Sequence, residues 1–410
     1  MAGPGYSFLG DEERNNVNKV LDTWGLTRFA YDVPNFTSFV RQTEEAFASL
    51  ADVQHAIAVN SGTSALITSL AALGIGPGDE VIVPGYTFVA SIGSIVLSGA
   101  TPVLAEIDDT LTIDPADVER KITNRTKAIM PIHMLGAACN MDALCALARH
   151  HGLKIVEDVA QACGGSFRGR RLGTIGNIGA FSLNPFKVIT SGEGGLVITN
   201  DTHLYQRAYA FQDQGWFPLR RDTGNGDILF GLNLRMAELA GAVAVAQITK
   251  LDRVLAATRR AKSALLSRLE LPDDCPIQPR RLNDEEGDCA TVLVITCSER
   301  EQAKRLATTL GSKTLDDSGR HYYRNMSQLR LLGDRGKSSS VFHRHYAGDP
   351  VLRVLPSLTQ TDDLLGRSIG VSIGVSDRYL GAGFGISVRD NDATIDARAR
   401  TLCDAIFSAL

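Results

Sequence analysis

The sequence predicts an α/β fold with a mostly parallel sheet, because short apolar runs alternate with helix-length segments over roughly residues 50–250. The runs are four to six residues long and largely apolar, which is typical of parallel strands that are buried on both faces. We therefore expect a seven-stranded sheet that lies between helices. The seven predicted strands are Ala56–Val59, Glu80–Pro84, Pro102–Ile107, Lys127–Pro131, Lys154–Glu157, Gly179–Ser182 and Gly195–Thr199.

A smaller α+β domain is predicted at the C-terminal end, since 410 residues exceed what one hydrophobic core usually holds. We expect a large domain over residues 1–250, which begins with helical segments within residues 11–50, and a smaller one over 251–410. One long helix, Gln247–Leu269, is expected to connect the two. The other predicted C-terminal elements are the strand Cys289–Cys297, the helices Glu299–Leu310 and Ile395–Leu410, and loops from Gly311 to Pro356.

The composition indicates a cytoplasmic protein that binds neither nucleic acid nor membranes. A formal net charge of -4 provides no basic face for nucleic acid or anionic lipid. The chain lacks an N-terminal secretory signal and any apolar stretch of about 18 residues that would span a membrane. Its seven cysteines form no C-x-x-C motif, which favours reduced thiols over disulfides or a metal site.

The first candidate site segment is Asn60–Leu66, which lies between a predicted strand and an apolar helix. Its glycine and small hydroxyl residues would present backbone N–H groups at a helix N-terminus, an arrangement that binds phosphate. Ser and Thr in this position also serve as ordinary helix caps, and the segment by itself does not distinguish the two roles.

The second candidate is Asp158, at the end of the apolar strand that begins at Lys154. In open α/β sheets, ligands bind beyond the carboxyl ends of the strands, and a carboxylate there would pair with a cationic heterocycle. A helix-capping aspartate is the alternative reading of the same residue.

The third candidate is Lys187, an isolated lysine among apolar and small residues that follows Ser182 by five positions. A glycine-rich turn, Gly192–Gly195, comes after it. Desolvation lowers the pKa of a lysine amine and makes it a nucleophile toward aldehydes. A surface lysine on a loop is the alternative.

Together the three segments predict a site for pyridoxal phosphate. The turn at Asn60–Leu66 would bind the phosphate, Asp158 would keep the ring nitrogen protonated, and Lys187 would form an imine with the aldehyde.

With these three segments the chain resembles the DegT/DnrJ/EryC1/StrS family of sugar and cyclitol aminotransferases. The resemblance extends through nearly the whole chain and is densest from about residue 56 to residue 250. It implies a fold type I transferase that uses pyridoxal phosphate. The matching segments are Asn60–Leu66, 78–84, 86–90, 99–103, 125–129, 131–133, Glu157–Ala162, Phe181–Lys187, Gly192–Gly195 and 231–236.

The resemblance also implies how the cofactor phosphate is bound. Thr63 and Ser64 would meet the phosphate at the first turn, and Ser182 would add its hydroxyl. Asn233 matches a residue that the family contributes to the phosphate site of the neighbouring subunit, which implies a homodimer.

For the cofactor ring, the resemblance implies that Lys187 and Asp158 are the catalytic residues. Phe88 would stack on the ring face, and Gln161 would lie near the phenolic oxygen. His133 also matches a family position, and both a buried supporting role and a catalytic role are open for it.

The predicted reaction moves an amino group from glutamate or glutamine to a nucleotide-linked keto-sugar or a keto-cyclitol, in antibiotic, aminoglycoside or surface-sugar biosynthesis. Trp24, Leu26–Arg28, Arg220-Arg221 and His343–His345 are candidates to line the acceptor pocket, since arginines suit a diphosphate. A metal site at His343–His345 is disfavoured, because neither a carboxylate nor a cysteine follows at suitable spacing.

The alternatives are other imine chemistry on the same scaffold, such as a dehydratase, aldolase or oxidase, and a non-enzymatic regulatory homologue. Dehydratases of the family carry histidine in place of the lysine, so Lys187 argues against that activity.

Overall fold

A computed structural model of the chain describes residues 3–30, 33–34, 36–216, 229–272, 274–317, 319–332, 356–375, 380 and 382–410. Within these residues, no helix is both long enough and apolar enough to cross a lipid bilayer.

The large sheet has seven strands, as the sequence predicts, and its strand order is β1-β9-β8-β5-β4-β2-β3. The strands from β8 to β3 are parallel, whereas β9 runs antiparallel to both of its neighbours. The prediction of a mostly parallel sheet is therefore confirmed. The strands of this sheet are β1 (His55–Val59), β2 (Glu80–Pro84), β3 (Thr101–Ala105), β4 (Thr126–Ile129), β5 (Lys154–Asp158), β8 (Ile178–Ser182) and β9 (Gly195–Thr199).

Alternate residues along each strand face two different hydrophobic cores. Ile57 and Val59 of β1 belong to one core, and Ala56 and Ala58 to the other, as the period of two residues in a strand requires. Both faces of the sheet are therefore covered, which explains why the strands are apolar on both sides. A small ribbon that the sequence analysis did not predict, β6 (Ser166–Phe167) and β7 (Arg170–Arg171), lies between β5 and β8 in the chain.

Helices cover the large sheet on both faces. They are α1 (Asp11–Thr23), α2 (Phe39–Ala51), α3 (Gly62–Ala72), α4 (Val89–Leu97), α5 (Pro115–Lys121), α6 (Met141–His151), α7 (Thr202–Gln212), α8 (Glu238–Thr249) and α9 (Leu251–Leu266). Single 3-10 turns form at Pro4–Phe8 and Met134–Gly136.

The long helix predicted at Gln247–Leu269 is wrong at its start, because the segment contains the end of α8 and the whole of α9. The helices meet at Lys250, whose ammonium group donates hydrogen bonds to the carboxylate of Glu13 and to the carbonyl oxygen of Phe8. These partners are more than two hundred residues away in the chain. Apolar periodicity continues through both helices, so the sequence pattern alone does not reveal the junction.

The C-terminal part of the chain forms a second, four-stranded sheet with its own core, as the α+β prediction requires. The predicted boundary between residues 250 and 251 stays a prediction. The strands are β10 (Ile277–Pro279), β11 (Val292–Cys297), β12 (Ser368–Ile373) and β13 (Phe384–Ile386); the helices are α10 (Arg300–Thr309), α11 (Ser327–Leu332), α12 (Thr359–Gly366) and α13 (Asp392–Ala409), and 3-10 turns form at Leu315–Asp317 and Tyr323–Asn325. The loop prediction for Gly311 to Pro356 is therefore wrong at α11 and at these turns.

A buried ion pair between Arg28 and Glu44 ties the N-terminal segment to the large sheet. The two guanidinium Nη atoms donate to the two carboxylate oxygens at 2.8 and 2.7 Å, and the backbone N–H of Ala58 in β1 donates to the same carboxylate. The side chains are only 8% and 12% exposed, and the guanidinium lies 5.3 Å from the ring centre of Tyr209. Arg28, which the sequence analysis considered for the acceptor pocket, is thus committed to a structural pair.

We expect Arg28→Met to lower the free energy of unfolding by about 3–5 kcal/mol, because Glu44 is then left buried without its cation. Urea denaturation followed by circular dichroism measures this value. Arg14→Met is the matched control: Arg14 pairs with Asp11 on the exposed surface, and its loss should cost about 1 kcal/mol or less. Equal small effects for both variants would contradict the structural role of Arg28.

Candidate active site

The carboxyl ends of β1, β5 and β8 meet at one edge of the large sheet. Val59 lies opposite Gly195, Gly195 lies opposite Ser182, and Asp158 lies opposite Ala180. A cavity of about 220 Å³ opens beyond this edge. The position agrees with the general rule that open α/β sheets bind ligands at the carboxyl ends of their strands.

Six of the eight predicted site residues line this cavity. They are Thr63, Phe88, Asp158, Gln161, Ser182 and Lys187. Ser64 and Asn233 are not among the lining residues that the structure describes. Residues far apart in the chain are therefore brought together as the sequence analysis expected, and the two exceptions have physical reasons.

The N-terminus of α3 faces the cavity through Ser61, Gly62 and Thr63. Ser61 is the N-cap, and its hydroxyl accepts a hydrogen bond from the backbone N–H of Ser64 at 3.1 Å. The first backbone N–H groups of a helix have no acceptor within the helix, so this turn presents donors and a positive dipole end to an anion. Both proposed roles of the segment, helix cap and phosphate site, are compatible in this geometry.

The hydroxyl of Ser64 is engaged within the turn and is not directed toward a phosphate. It donates to Oδ1 of Asn60 at 2.6 Å and lies 2.8 Å from the hydroxyl of Ser61. Ser64 is buried and supports the turn from behind. Its direct contact with a phosphate stays a prediction, whereas Thr63 lies on the cavity wall.

Gly62 allows the helix to approach Ser182 closely. A Cβ atom at this position would lie 2.6 Å from Cβ and 2.9 Å from Oγ of Ser182. Any larger residue would therefore separate the helix N-terminus from the hydroxyl at the end of β8. The two phosphate-binding elements implied by the sequence are thus held side by side by the absence of one side chain.

Asp158 is buried at the cavity wall and is 4% exposed. One carboxylate oxygen accepts from the backbone N–H of Ala160 at 3.0 Å, and the other accepts from the hydroxyl of Ser91 at 2.8 Å. Burial raises the pKa of Asp158 above its ordinary value of 3.8, although these two donors and the charge of Lys187 act in the opposite direction. A cation placed against this carboxylate would remove the penalty of burying its charge.

Ser91, in the first turn of α4, is held by Thr87, which lies just before the N-cap of this helix and whose hydroxyl is 2.7 Å away. Because Ser91 donates to Asp158, Thr87 supplies the proton for the bond between the two hydroxyls. Sequence reasoning missed both residues. Their spacing of four residues across the start of α4 is the signal that would have identified them.

Glu157, the neighbour of Asp158, points to the opposite face of the sheet. Its oxygens accept from the backbone N–H groups of Gly173, Ile175 and Gly176 and contact Nε2 of His133 at 3.1 Å. The N–H of Cys139 donates to Nδ1 of His133, so Nε2 is the nitrogen that carries a proton toward Glu157. His133 is fully buried, which supports a buried supporting role for it over a catalytic one.

Lys187 lies in a tight loop after β8, where its backbone N–H donates to the carbonyl of Asn184 at 3.1 Å. Its side chain lines the cavity together with Asp158. The N-terminal segment packs directly on this loop, since the N–H of Gly3 donates to the carbonyl of Pro185 at 2.6 Å. The lysine is therefore held from both the sheet side and the N-terminal side.

Phe88 is the N-cap residue of α4 and lines the cavity. Its ring centre lies 5.4 Å from that of His321, at an angle of 43°. His321 is held there because the N–H of Thr87 donates to its carbonyl at 2.9 Å and Tyr86 pairs with Tyr322. The two rings form one wall of the cavity.

Arg320 and His321 also line the cavity and were missed by the sequence analysis. Asn184 and Glu193 line it as well and belong to segments that the sequence analysis named, without an assigned role. Arg320 and His321 lie in the stretch predicted as loops, where helical or strand periodicity gives no indication of function. The run His321-Tyr322-Tyr323 is the one local signal in that stretch, since aromatic residues are unusual in a surface loop.

Asn233 is exposed in this single chain and pairs with Asp213 at the main-chain level. Its neighbours are unusually apolar for a surface, because Phe230 is 100% exposed and Leu232 is half-exposed. A residue that serves another subunit must lie outside its own cavity, and this position satisfies that requirement. The predicted acceptor residues Arg220-Arg221 and His343–His345 lie outside the described residues.

A model of the DegT/DnrJ/EryC1/StrS aminotransferase family matches residues 9–356, and the chain belongs to this family. GDP-perosamine synthase of Caulobacter vibrioides is 42% identical over 253 residues, which are 62% of this chain and 66% of that protein. L-glutamine:2-deoxy-scyllo-inosose aminotransferase of Micromonospora echinospora is 41% identical over 237 residues, 56% of either chain. These matches span less than two thirds of the length of the relatives.

Among solved structures, 3-amino-5-hydroxybenzoic acid synthase superposes on 100% of this chain and 98% of its own, with a TM-score of 0.78 and 26% identity. The fold type I prediction is thereby confirmed. The family uses pyridoxal phosphate, as the sequence predicts.

The described residues fit this cofactor in three independent ways. The N-terminus of α3 with Ser182 suits the phosphate, and the buried carboxylate of Asp158 suits a protonated ring nitrogen. The amine of Lys187 borders the same cavity and suits the aldehyde. The individual contacts that we assign to these residues stay predictions.

We expect Asp158→Asn to weaken pyridoxal phosphate binding by about tenfold or more, because a charged partner of the ring is lost. The folding stability of the apoprotein, in contrast, should increase in this variant. Because the folded-state pKa of Asp158 lies above 3.8, this residue destabilises the fold progressively as the pH rises through the interval above that value. The variant should therefore match wild type near pH 4 and be more stable than wild type at pH 8.

Thermal unfolding of both apoproteins between pH 4 and pH 8 measures the second effect, and fluorescence titration measures the first. A variant apoprotein that is less stable than wild type at pH 8, by a margin that grows with pH, would contradict the assignment of a buried, uncompensated carboxylate.

Proposed function

We propose that the protein is a pyridoxal-phosphate-dependent aminotransferase that moves an amino group from glutamate or glutamine to a keto-sugar or keto-cyclitol. One observation carries the proposal: the amine of Lys187 and the buried carboxylate of Asp158 border one cavity, beside the N-terminus of α3. An acid partner for the ring, an amine for the aldehyde and an anion site for the phosphate are the three requirements of this cofactor.

The names of the relatives support the acceptor class. One relative is a GDP-perosamine synthase and another is an L-glutamine:2-deoxy-scyllo-inosose aminotransferase, so the two most relevant acceptor types are a nucleotide-linked sugar and a free cyclitol. We propose an acceptor of this polyhydroxylated ring type, in the biosynthesis of an antibiotic, an aminoglycoside or a surface sugar. We further propose that the protein acts in the cytoplasm as a homodimer.

When bound, pyridoxal phosphate supplies an electron sink that stabilises negative charge on the carbon next to the transferred nitrogen. Asp158 contributes by holding positive charge on the ring nitrogen, and the bonds from Ser91 and Ala160 hold its carboxylate in place. The aromatic ring of Phe88 restricts the tilt of the cofactor plane. Thr63, Ser182 and the start of α3 would hold the phosphate and so orient the cofactor toward Lys187.

The proposed role of Lys187 is to hold and transfer a proton as general acid and base beside the transferred nitrogen. Leu66, Ile132 and Phe186 provide apolar parts of the lining of the cavity that Lys187 borders.

Polar lining residues without a predicted cofactor contact are the candidates for acceptor recognition. Glu193, Arg320 and His321 contribute a carboxylate, a guanidinium and an imidazole to the lining. Hydroxyl groups of a sugar or cyclitol ring both donate and accept, so a mixed set of this kind suits them.

Two other functions are less well supported. A dehydratase of this family carries histidine where this chain has Lys187. A regulatory homologue without catalytic activity would not need the buried carboxylate of Asp158, whose pKa is raised by burial. Purified protein whose visible absorption band disappears when an amino donor is added would support the aminotransferase. A band that responds only to a sugar substrate would favour the alternatives.

We expect Lys187→Ala to bind pyridoxal phosphate without a covalent bond and to lose turnover by about 100-fold or more, because the proton-transfer group is absent. Borohydride reduction followed by peptide mass spectrometry identifies the modified lysine in wild type. Lys154→Ala, which changes an exposed lysine at the start of β5, is the control and should behave as wild type. Full activity of Lys187→Ala, or labelling of another lysine, would contradict the proposal.

The proposed sharing of Asn233 between subunits leads to a complementation experiment. Lys187→Ala and Asn233→Ala are each expected to be poorly active. If Asn233 serves the neighbouring site, a hybrid dimer contains one site with both defects and one intact site. Random mixing after denaturation and refolding should then restore about a quarter of wild-type activity. If Asn233 served its own site, mixing would restore nothing, which provides the contradicting outcome.

A further inference from the structure

Arg280 lies outside the cavity and contacts the backbone turn Met134–Gly136, and this turn contacts the cavity residue Gln161. Arg280 follows β10 in the small sheet and is 7% exposed. Its guanidinium donates to the carbonyl oxygens of Met134, Leu135 and Thr110 at 3.3–3.4 Å. Within the part of the chain that the structure describes, it forms no ion pair within 4 Å, and burying a guanidinium that has only neutral partners is energetically expensive.

The turn that Arg280 contacts has an unusual backbone. Leu135 has a φ of 58° and Gly136 a φ of 85°, so two consecutive residues are left-handed. A left-handed conformation at leucine is unfavourable by roughly 1–2 kcal/mol and persists only when surrounding contacts hold it. Arg280 provides such contacts, because it is the donor to the carbonyl of Leu135 and a second donor to that of Met134.

The strained turn aims one N–H group at the cavity residue Gln161. The backbone N–H of Leu135 donates to Oε1 of Gln161 at 3.0 Å. A backbone N–H can only donate, so the oxygen end of the amide is fixed toward the turn. The opposite end, the NH₂ group, is then the end that Gln161 presents to the cavity that it lines.

We propose that Arg280 is a positioning residue that acts through the turn at Met134–Gly136 to hold Gln161 as a hydrogen-bond donor toward the phenolic oxygen of the cofactor. The inference rests on the proposed function and on the ring contact predicted for Gln161. A hydrogen-bond donor at the phenolic oxygen stabilises the negative charge of that oxygen. The donor therefore lowers the pH at which the bound cofactor loses its dissociable proton.

The experiment is a pH titration of the visible absorption band of protein reconstituted with pyridoxal phosphate. In Arg280→Met the carbonyl of Leu135 loses its donor, the turn relaxes and the N–H leaves Gln161. We expect the midpoint of the titration to rise by up to about one pH unit, the size of one lost hydrogen bond. Gln161→Leu should raise the midpoint at least as much.

The double variant separates a positioning role from a direct effect of charge. If Arg280 acts only through Gln161, Arg280→Met should cause no further shift in the Gln161→Leu background. Leu265→Ala is the matched control, because it weakens the core of the small domain without contact to the turn. It should lower the melting temperature and leave the midpoint unchanged.

Additive shifts in the double variant would overturn the proposal, since they would mean that the charge of Arg280 acts on the cofactor directly. An unchanged midpoint in folded Arg280→Met would also overturn it. Should this variant fail to fold, Arg280→Lys provides the same cycle with a smaller expected rise, and its unchanged midpoint has the same meaning. Protein that shows no visible band with pyridoxal phosphate would refute the proposed function itself, which is a distinguishable outcome.

Discussion

The structure depends on one strand end at which two adjacent carboxylates are buried on opposite faces of the sheet. Glu157 is satisfied by backbone N–H groups of the segment before β8 and by His133. Among the residues that the structure describes, Asp158 receives two donors, from Ser91 and Ala160, and its pKa is raised by burial. Glu157 thus stabilises the fold, whereas the buried charge of Asp158 is unfavourable until a cationic ligand offsets it. This difference between the two carboxylates places the candidate site at the carboxyl ends of the strands, on the face of the sheet to which Asp158 points.

The cavity beyond that edge is assembled from distant parts of the chain. The large sheet supplies Asp158 and Ser182, and the N-terminus of α3 lies against Ser182 because Gly62 has no side chain. The N-terminal segment holds the loop of Lys187, and the segment near residue 321 supplies an imidazole that faces Phe88. The C-terminal part of the chain therefore contributes to the site both directly and, through Arg280, by contact with the turn beside Gln161.

Most of the large sheet was predictable, because strands buried on both faces are apolar and are separated by helices of regular length. Glu80–Pro84 and Gly195–Thr199 agree with the prediction at both ends, and the other strands differ by one or two residues at either end. The single helix predicted at Gln247–Leu269 was wrong, since the junction at Lys250 is set by Glu13 and Phe8. A contact over that distance along the chain leaves no local pattern.

The sequence by itself determined the sheet, the family and the identity of six residues that line the cavity, because motif residues and buried strands are local properties of the chain. Only the tertiary structure decided that Ser64 supports the turn from behind, that Arg28 belongs to an ion pair, and that His321 and Arg320 reach the cavity. The physical reason is the same in each case. The role of a polar side chain depends on which partner satisfies it, and these partners are fixed by packing between segments that the sequence does not place relative to each other.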